Sequence, residues 1–291
     1  MSKFAPINIE DLSLRRSCDK TEVYKDWEDF PLIIGYYYPQ NMDKSKKYPT
    51  LVFIHGGGWC ERKIYPEQKD WSGDLLGYLS RYYADHGYVC VTIDYRLAPN
   101  YAQGENREVI NCCNDCVDAI EHLTERFEEN CIDTENITII GESAGGYNSS
   151  FILFSDFKPL NIKFKNAVLV NPVIDMTTLP WKDHLRFPSF HPYLSDCESI
   201  DDVAEKMTHL RKIKKCDTKF FVIHGEKDYV VKTKEHGVAV YNALKEAGND
   251  AELHIISGAN HAFLLVDFYN LSRDHSLEAI EKINDFIERN T

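Results

Sequence analysis

Apolar residues fall into two rhythms along this chain. Short runs such as Leu51-Val-Phe-Ile54, Ile137-Thr-Ile-Ile140 and Phe220-Phe-Val-Ile223 are apolar at nearly every position and rich in β-branched and aromatic residues. Runs of that length and composition predict strands buried on both faces. Between them, apolar positions recur every three or four residues. Val109, Cys113, Cys116, Val117, Ile120, Leu123 and Phe127 form one such stripe, which predicts an amphipathic helix. The pattern predicts an early strand within 31–38, strand 50–55, helix 72–86, strand 87–94, helix 107–127, strand 136–141 and helix 143–155. Strand 165–171, strand 218–224, helix 233–247, strand 250–256 and helix 275–289 complete the series. Strands alternating with amphipathic helices imply an α/β fold: a mostly parallel central sheet flanked by helices. The alternation breaks over 172–216, where prolines and large aromatics (Trp181, Phe187, Phe190, Tyr193) show no period. A stretch that long without regular structure is expected to be a lid, here a small cap. With no linker or repeat, the expectation is one domain over 1–291 with a cap insertion at about 172–216.

Four segments at the ends of predicted strands carry candidate chemistry. Gly141-Glu142-Ser143-Ala144-Gly145 lies between a predicted strand and a predicted helix. In that setting a G-x-S-x-G pentapeptide forces its serine into a strained turn with the hydroxyl exposed. His55-Gly56-Gly57-Gly58-Trp59 follows strand 50–55, and glycines there let backbone N–H groups turn inward toward a developing oxyanion. The same glycines could cradle phosphate, but a Gly-Lys-Ser/Thr ending is absent and no G-x-G-x-x-G opens a helix. Asp228 stands in the turn after strand 218–224, and His261 in the loop after strand 250–256. The chemistry this set suggests is nucleophilic: His261 takes the Ser143 proton while Asp228 fixes the imidazole tautomer and steadies the imidazolium. Asp175 stands as a reserve acid. No metal or organic cofactor is required by such a set.

The order Ser143, Asp228, His261 is the one α/β-hydrolases use. With His55–Trp59, Asp94-Tyr-Arg-Leu-Ala-Pro99 and Gly141–Gly145, the chain resembles serine esterases of the α/β-hydrolase superfamily, in motif the hormone-sensitive-lipase-like carboxylesterases. The likeness spans roughly residues 30 to 290. It implies an α/β-hydrolase fold, with the N–H groups of Gly57, Gly58 and Ala144 as oxyanion donors. Fuller members carry a helical cap at the N-terminus, where this chain has only some 50 residues before the glycine motif, so a short or differently built lid is implied. A small cap favours carboxylic esters of small, short-acyl substrates, hydrolysed through an acyl-enzyme. The walls of the substrate pocket are expected from Trp59, Trp181, Phe187, Phe190 and Tyr193, with Tyr65 and Trp71 nearby. Amide hydrolysis of the arylformamidase type and a non-catalytic hydrolase-fold binding protein are the alternatives.

Composition narrows the partners. A net charge of −13 argues against nucleic acid and anionic membrane surfaces, both of which are negatively charged. The polar, charged start of the chain predicts neither signal peptide nor transmembrane helix, and nine cysteines without a framework spacing suggest a reducing cytoplasm. A small-molecule partner is expected, and homo-oligomerisation stays open. Cys113-x-x-Cys116 lies on the helical stripe, so these thiols are expected to pack in the core and not to bind metal. Asp94 and Arg96 are expected to pair with each other. His184, His224 and His254 are read as structural.

Overall fold

The computed structural model describes residues 4, 17–27, 30–59, 77–98, 108–155, 158, 160–178, 180–185, 196–261, 263–264 and 273–291. Eight strands form one sheet: β1 (Lys20–Trp27), β2 (Phe30–Tyr37), β3 (Tyr48–Ile54), β4 (Val89–Ile93), β5 (Ile132–Glu142), β6 (Asn166–Val170), β7 (Lys219–Gly225) and β8 (Ala251–Ile256). Their order across the sheet is β1-β2-β4-β3-β5-β6-β7-β8. β1 pairs antiparallel with β2 and β2 with β4, whereas the pairs from β4–β3 through β7–β8 are parallel. The carboxyl ends of β3, β5, β6, β7 and β8 therefore share one edge, where ligands of such sheets bind.

Near-continuous apolar runs form the central strands because both faces are covered. Val52 and Ile54 of β3 enter one core layer and Leu51 and Phe53 the other. Phe220 and Val222 of β7 divide from Phe221 and Ile223 in the same way. One layer is closed by α2 (Val109–Thr124) and α3 (Ala144–Phe154). The other is closed by α1 (Gly77–Asp85) and α7 (Arg273–Asn290). Cys113 and Cys116 are buried in the first layer, as the stripe predicts, and Cys112 is buried beside them. Among the described residues no group of His, Cys, Asp and Glu could hold a metal ion, and no helix is long and apolar enough to cross a membrane.

Three features depart from the sequence expectation. β1 was not anticipated, since KTEVYKDW is largely polar. It is an edge strand, and charges there discourage further pairing; Lys25 bridges Asp115 and Asp118 of α2, at 2.8 and 2.6 Å. Second, the stretch expected to be irregular holds a short helix α4 (Trp181–His184) and the amphipathic α5 (Ile200–Met207). α5 buries Val203, Ala204 and Met207, and the Ser199 side chain caps it by accepting from the Asp202 N–H. Third, the helix expected at 233–247 begins as a π-helical turn, Lys234–Val238, before α6 (Ala239–Glu246). Phe187, Phe190, Tyr193, Tyr65 and Trp71 lie outside the described residues.

Candidate active site

The turn between β5 and α3 holds Ser143 at φ 54°, ψ −115°, a conformation that costs a non-glycine residue of order 1–3 kcal/mol. Its backbone is pinned to maintain that geometry. The Ser143 N–H donates to the Val170 carbonyl at 2.9 Å, and the Ser143 carbonyl accepts from the Tyr147 and Val173 N–H groups. Close approach of α3 to β3 requires glycine at 145, because a Cβ there would overlap the carbonyl oxygens of Ile54 and His55.

His261 stands at the end of the loop after β8. Its Nε2 is 2.8 Å from the Ser143 Oγ, and its Nδ1 is 2.6 Å from the Asp228 Oδ2. The other carboxylate oxygen of Asp228 accepts from the N–H groups of Val230 and Val231 at 2.9 and 2.8 Å. The serine hydroxyl can donate to Nε2 only if Nδ1 carries the ring proton, and Asp228 holds it there. Burial works against an ionised Asp228, but hydrogen bonds from His224 and His261 outweigh it and hold the carboxyl well below the usual carboxylate range. Burial likewise opposes a charged His261, yet the bond to Asp228 and the nearby Asp228 and Glu142 charges leave its pKa raised. The structure thus brings Ser143, His261 and Asp228 into one hydrogen-bonded relay. Asp175 is engaged elsewhere: its Oδ1 accepts from the N–H and hydroxyl of Thr177 and from the Thr208 hydroxyl.

The glycine loop after β3 lies against the serine turn, where a Cβ on Gly56 would come within 3.0 Å of the Ser143 Cβ. Gly57, Gly58 and Trp59 all adopt positive φ, at 91°, 60° and 59°. Tyr95, just beyond β4, secures the loop, its hydroxyl donating to the carbonyls of His55 and Gly56 while its ring stacks on His55 at 4.3 Å. Ala144 is the first residue of α3, where helix N–H groups lack intrahelical acceptors. Trp59 and Trp181, expected as pocket walls, are 1% and 7% exposed and pack edge-on against each other. The Trp59 indole N–H donates to Asn148 of α3 at 3.0 Å. That places Trp59 as a brace for the strained loop.

Several residues near the site were not foreseen. Asn171 follows β6 at φ 42°; its Oδ1 accepts from the Gly225 N–H at 3.0 Å, and its Nδ2 donates to the His261 carbonyl. It ties the acid loop to the base loop. Glu226 does the same from the surface, accepting from the Ser257 hydroxyl and the Gly258 N–H at 3.0 and 2.8 Å. His224, read as structural, lies against Asp228: its Nε2 is 3.1 Å from the Asp228 Oδ2. Its position four residues before the acid, at a strand end, was the available signal. His254 pairs with Glu278 at the edge of the sheet, at 2.7 Å. Arg96 pairs with Asp115 and not with Asp94, because α2 brings the Asp115 carboxylate to its guanidinium at 2.5 and 2.8 Å. Asp94 Oδ1 instead accepts from the Tyr95 N–H at 2.9 Å.

A sequence model of the prolyl oligopeptidase family matches residues 78–291. Among characterised proteins, the chain is 27% identical over 238 residues to dipeptidyl-peptidase 5 of Aspergillus oryzae, covering 77% of this chain and 30% of the peptidase. It is 23% identical over 281 residues to lipase 2 of a Moraxella species, covering 84% of this chain and 62% of the lipase. The chain thus spans about a third of the length of the dipeptidyl peptidases it matches. Among solved structures, a thermophilic esterase from Thermogutta terrifontis with butyrate bound superposes with a TM-score of 0.70 at 25% identity, covering 92% of this chain and 94% of that one. Its apo form superposes with the same TM-score at 22% identity, covering 96% and 98%. The eight-stranded sheet is that of an α/β-hydrolase.

Proposed function

The chain belongs to the prolyl oligopeptidase family, and from that premise we propose that it is a serine hydrolase acting on carboxylic esters of small, short-acyl substrates through an acyl-enzyme. One observation carries the reading: Ser143, strained at φ 54°, lies 2.8 Å from a histidine whose other nitrogen is 2.6 Å from a buried aspartate.

In the proposed reaction Ser143 Oγ attacks the carbonyl carbon as its proton passes to His261 Nε2. The imidazolium is stabilised by Asp228, and the N–H groups of Gly57, Gly58 and Ala144 receive the charge on the carbonyl oxygen. Collapse of the tetrahedral intermediate breaks the ester C–O bond, and Nε2–H delivers its proton to the departing alcohol. Water, deprotonated by the same nitrogen, then releases the acid and regenerates the serine. The similarity to a propionate-bound and a butyrate-bound esterase supports short acyl groups.

A peptidase reading has its own support in the 27% identity to dipeptidyl-peptidase 5. The same relay would cleave an amide if the leaving amine were protonated as it departs. Turnover of p-nitrophenyl esters from acetate to dodecanoate, measured beside a dipeptidyl p-nitroanilide and N-formylkynurenine, separates these readings. The proposal expects the highest kcat/KM on acetate to butyrate esters. A preference for either amide by tenfold or more would contradict it.

A further inference from the structure

We propose that His224 is a positioning residue of this site, whose Nε2–H shares the Asp228 Oδ2 with His261 and so moderates the hold of that carboxylate on the His261 imidazolium. The inference rests on the reading of Ser143, His261 and Asp228 as the reacting set.

The side chains of His224 and Asp228 are both fully buried, with Nε2 at 3.1 Å from Oδ2. The same Nε2 lies 2.7 Å from the Val231 carbonyl oxygen. A carbonyl only accepts, so the proton must reside on Nε2, where it is divided between Val231 and Asp228. His224 Nδ1 has no hydrogen-bond partner among the described residues. That side of the ring lies against Gly237 of the π-helical turn, where a Cβ would overlap Nδ1. The ring is therefore clamped from one side by backbone and from the other by its bifurcated bond.

Asp228 then has four N–H donors, two on each oxygen: Val230 and Val231 on Oδ1, His261 and His224 on Oδ2. The donors to Oδ1 fix the plane of the carboxylate, whereas those to Oδ2 compete for one oxygen. An oxygen that already accepts one N–H offers less charge to a second. Without His224, Asp228 would direct more of its charge at His261, and the imidazolium would be held more tightly.

Each element packed around the pair adds a titratable group. Asp228 follows β7, His261 follows β8, His236 lies in the turn before α6, Asp175 follows β6 and Glu142 ends β5. Glu142 acts on His261, and Asp175 acts on His236. Burial pushes His236 down to about 4, and its Nδ1 accepts from the Ile174 and Asp175 N–H groups, so it is neutral near pH 7. His224 is thus the side-chain donor to Asp228 besides His261 among the described residues.

The test follows the His261 titration by NMR in a Ser143→Ala background, so that it does not depend on turnover. His224→Leu should raise the His261 midpoint by about half a pH unit or more, roughly threefold in the protonation equilibrium. His224→Gln, whose carboxamide N–H can reach the same oxygen, should return it toward the parent. With Ser143 restored, the rising limb of kcat/KM on p-nitrophenyl acetate should move the same way. An unchanged midpoint in His224→Leu, with only a lower Tm, would reduce His224 to a packing role and overturn the proposal. If His224→Leu does not fold, 1H–15N spectra of the Ser143→Ala protein decide: the proposal expects a hydrogen-bonded Nε2–H on His224, and a ring protonated at Nδ1 alone contradicts it. Absence of ester turnover in the parent would count against the proposed function while leaving these NMR readouts intact.

Discussion

Asp115 and Asp228 both have fully enclosed carboxylates, yet their partners differ in kind. Asp115, on α2, is held by the Arg96 guanidinium through both oxygens, by the Arg96 N–H, and by Lys25 at 2.8 Å. Those side chains are permanent cations, so its charge is neutralised whatever the pH near neutrality. Asp228 is held by two backbone N–H groups and two imidazoles. Its charge is solvated but not cancelled, and it remains available to an imidazole that gains a proton. A buried carboxylate facing fixed cations locks architecture, here edge strand β1 and the loop after β4 to α2. One facing imidazoles can follow a proton.

The comparison predicts opposite phenotypes. Ser143→Ala and His261→Ala should each reduce ester turnover by roughly 10^4-fold or more with unchanged thermal unfolding, and their combination should cost little beyond either alone. Asp228→Asn should lower kcat by roughly 10^3–10^4-fold, because the carboxamide favours the wrong His261 tautomer. Asp175→Asn, made in parallel, should stay within about threefold of the parent, since Thr177 and Thr208 already occupy its Oδ1. Steady-state kinetics with p-nitrophenyl acetate reads all five variants. A silent Asp228→Asn beside a crippled Asp175→Asn would reverse the acid assignment.

At the Asp115 site the effect should fall on stability. Arg96→Met leaves a buried carboxylate with one half-exposed lysine, and uncompensated buried charge of this kind costs about 3–5 kcal/mol. Urea unfolding should show that loss, while kcat per folded molecule stays near the parent value. A large drop in kcat with normal stability would show that Arg96 serves the loop chemistry and would erase the distinction between the two aspartates.

The smallest expected effect is a displaced pH midpoint. Only neutral His261 can accept the Ser143 proton, so kcat/KM should fall as pH drops through the His261 pKa. That pKa is raised, despite burial, by the bond to Asp228, so the midpoint should lie above the ordinary histidine value near 6.5. Arg96→Met, which touches a different carboxylate, should leave it in place.

Most of the sheet was legible because strands buried on both faces write continuous apolar runs, as in Leu51–Ile54 and Phe220–Ile223. β1 was not, because an edge strand keeps charged side chains that look like a loop. α5 did carry a readable start, Ser199 three residues before Asp202, but it follows a proline-rich stretch and spans only eight residues. In the site, Ser143, Asp228 and His261 announced themselves through turn glycines and position after strands. His224 and Asn171 did not, because their roles depend on which strands lie side by side, and that register is a tertiary fact. For Arg96 the sequence suggests its near neighbour Asp94, whereas the observed partner comes from a helix 19 positions on.

The central claim is that Ser143 carries the acyl group. Intact-mass spectrometry after rapid acid quench of the protein with excess p-nitrophenyl butyrate, followed by peptide mapping, tests it directly. The account predicts one added butyryl group per chain, on the peptide containing Ser143, and none in Ser143→Ala. An adduct on another residue, or steady turnover that persists in Ser143→Ala, would contradict it.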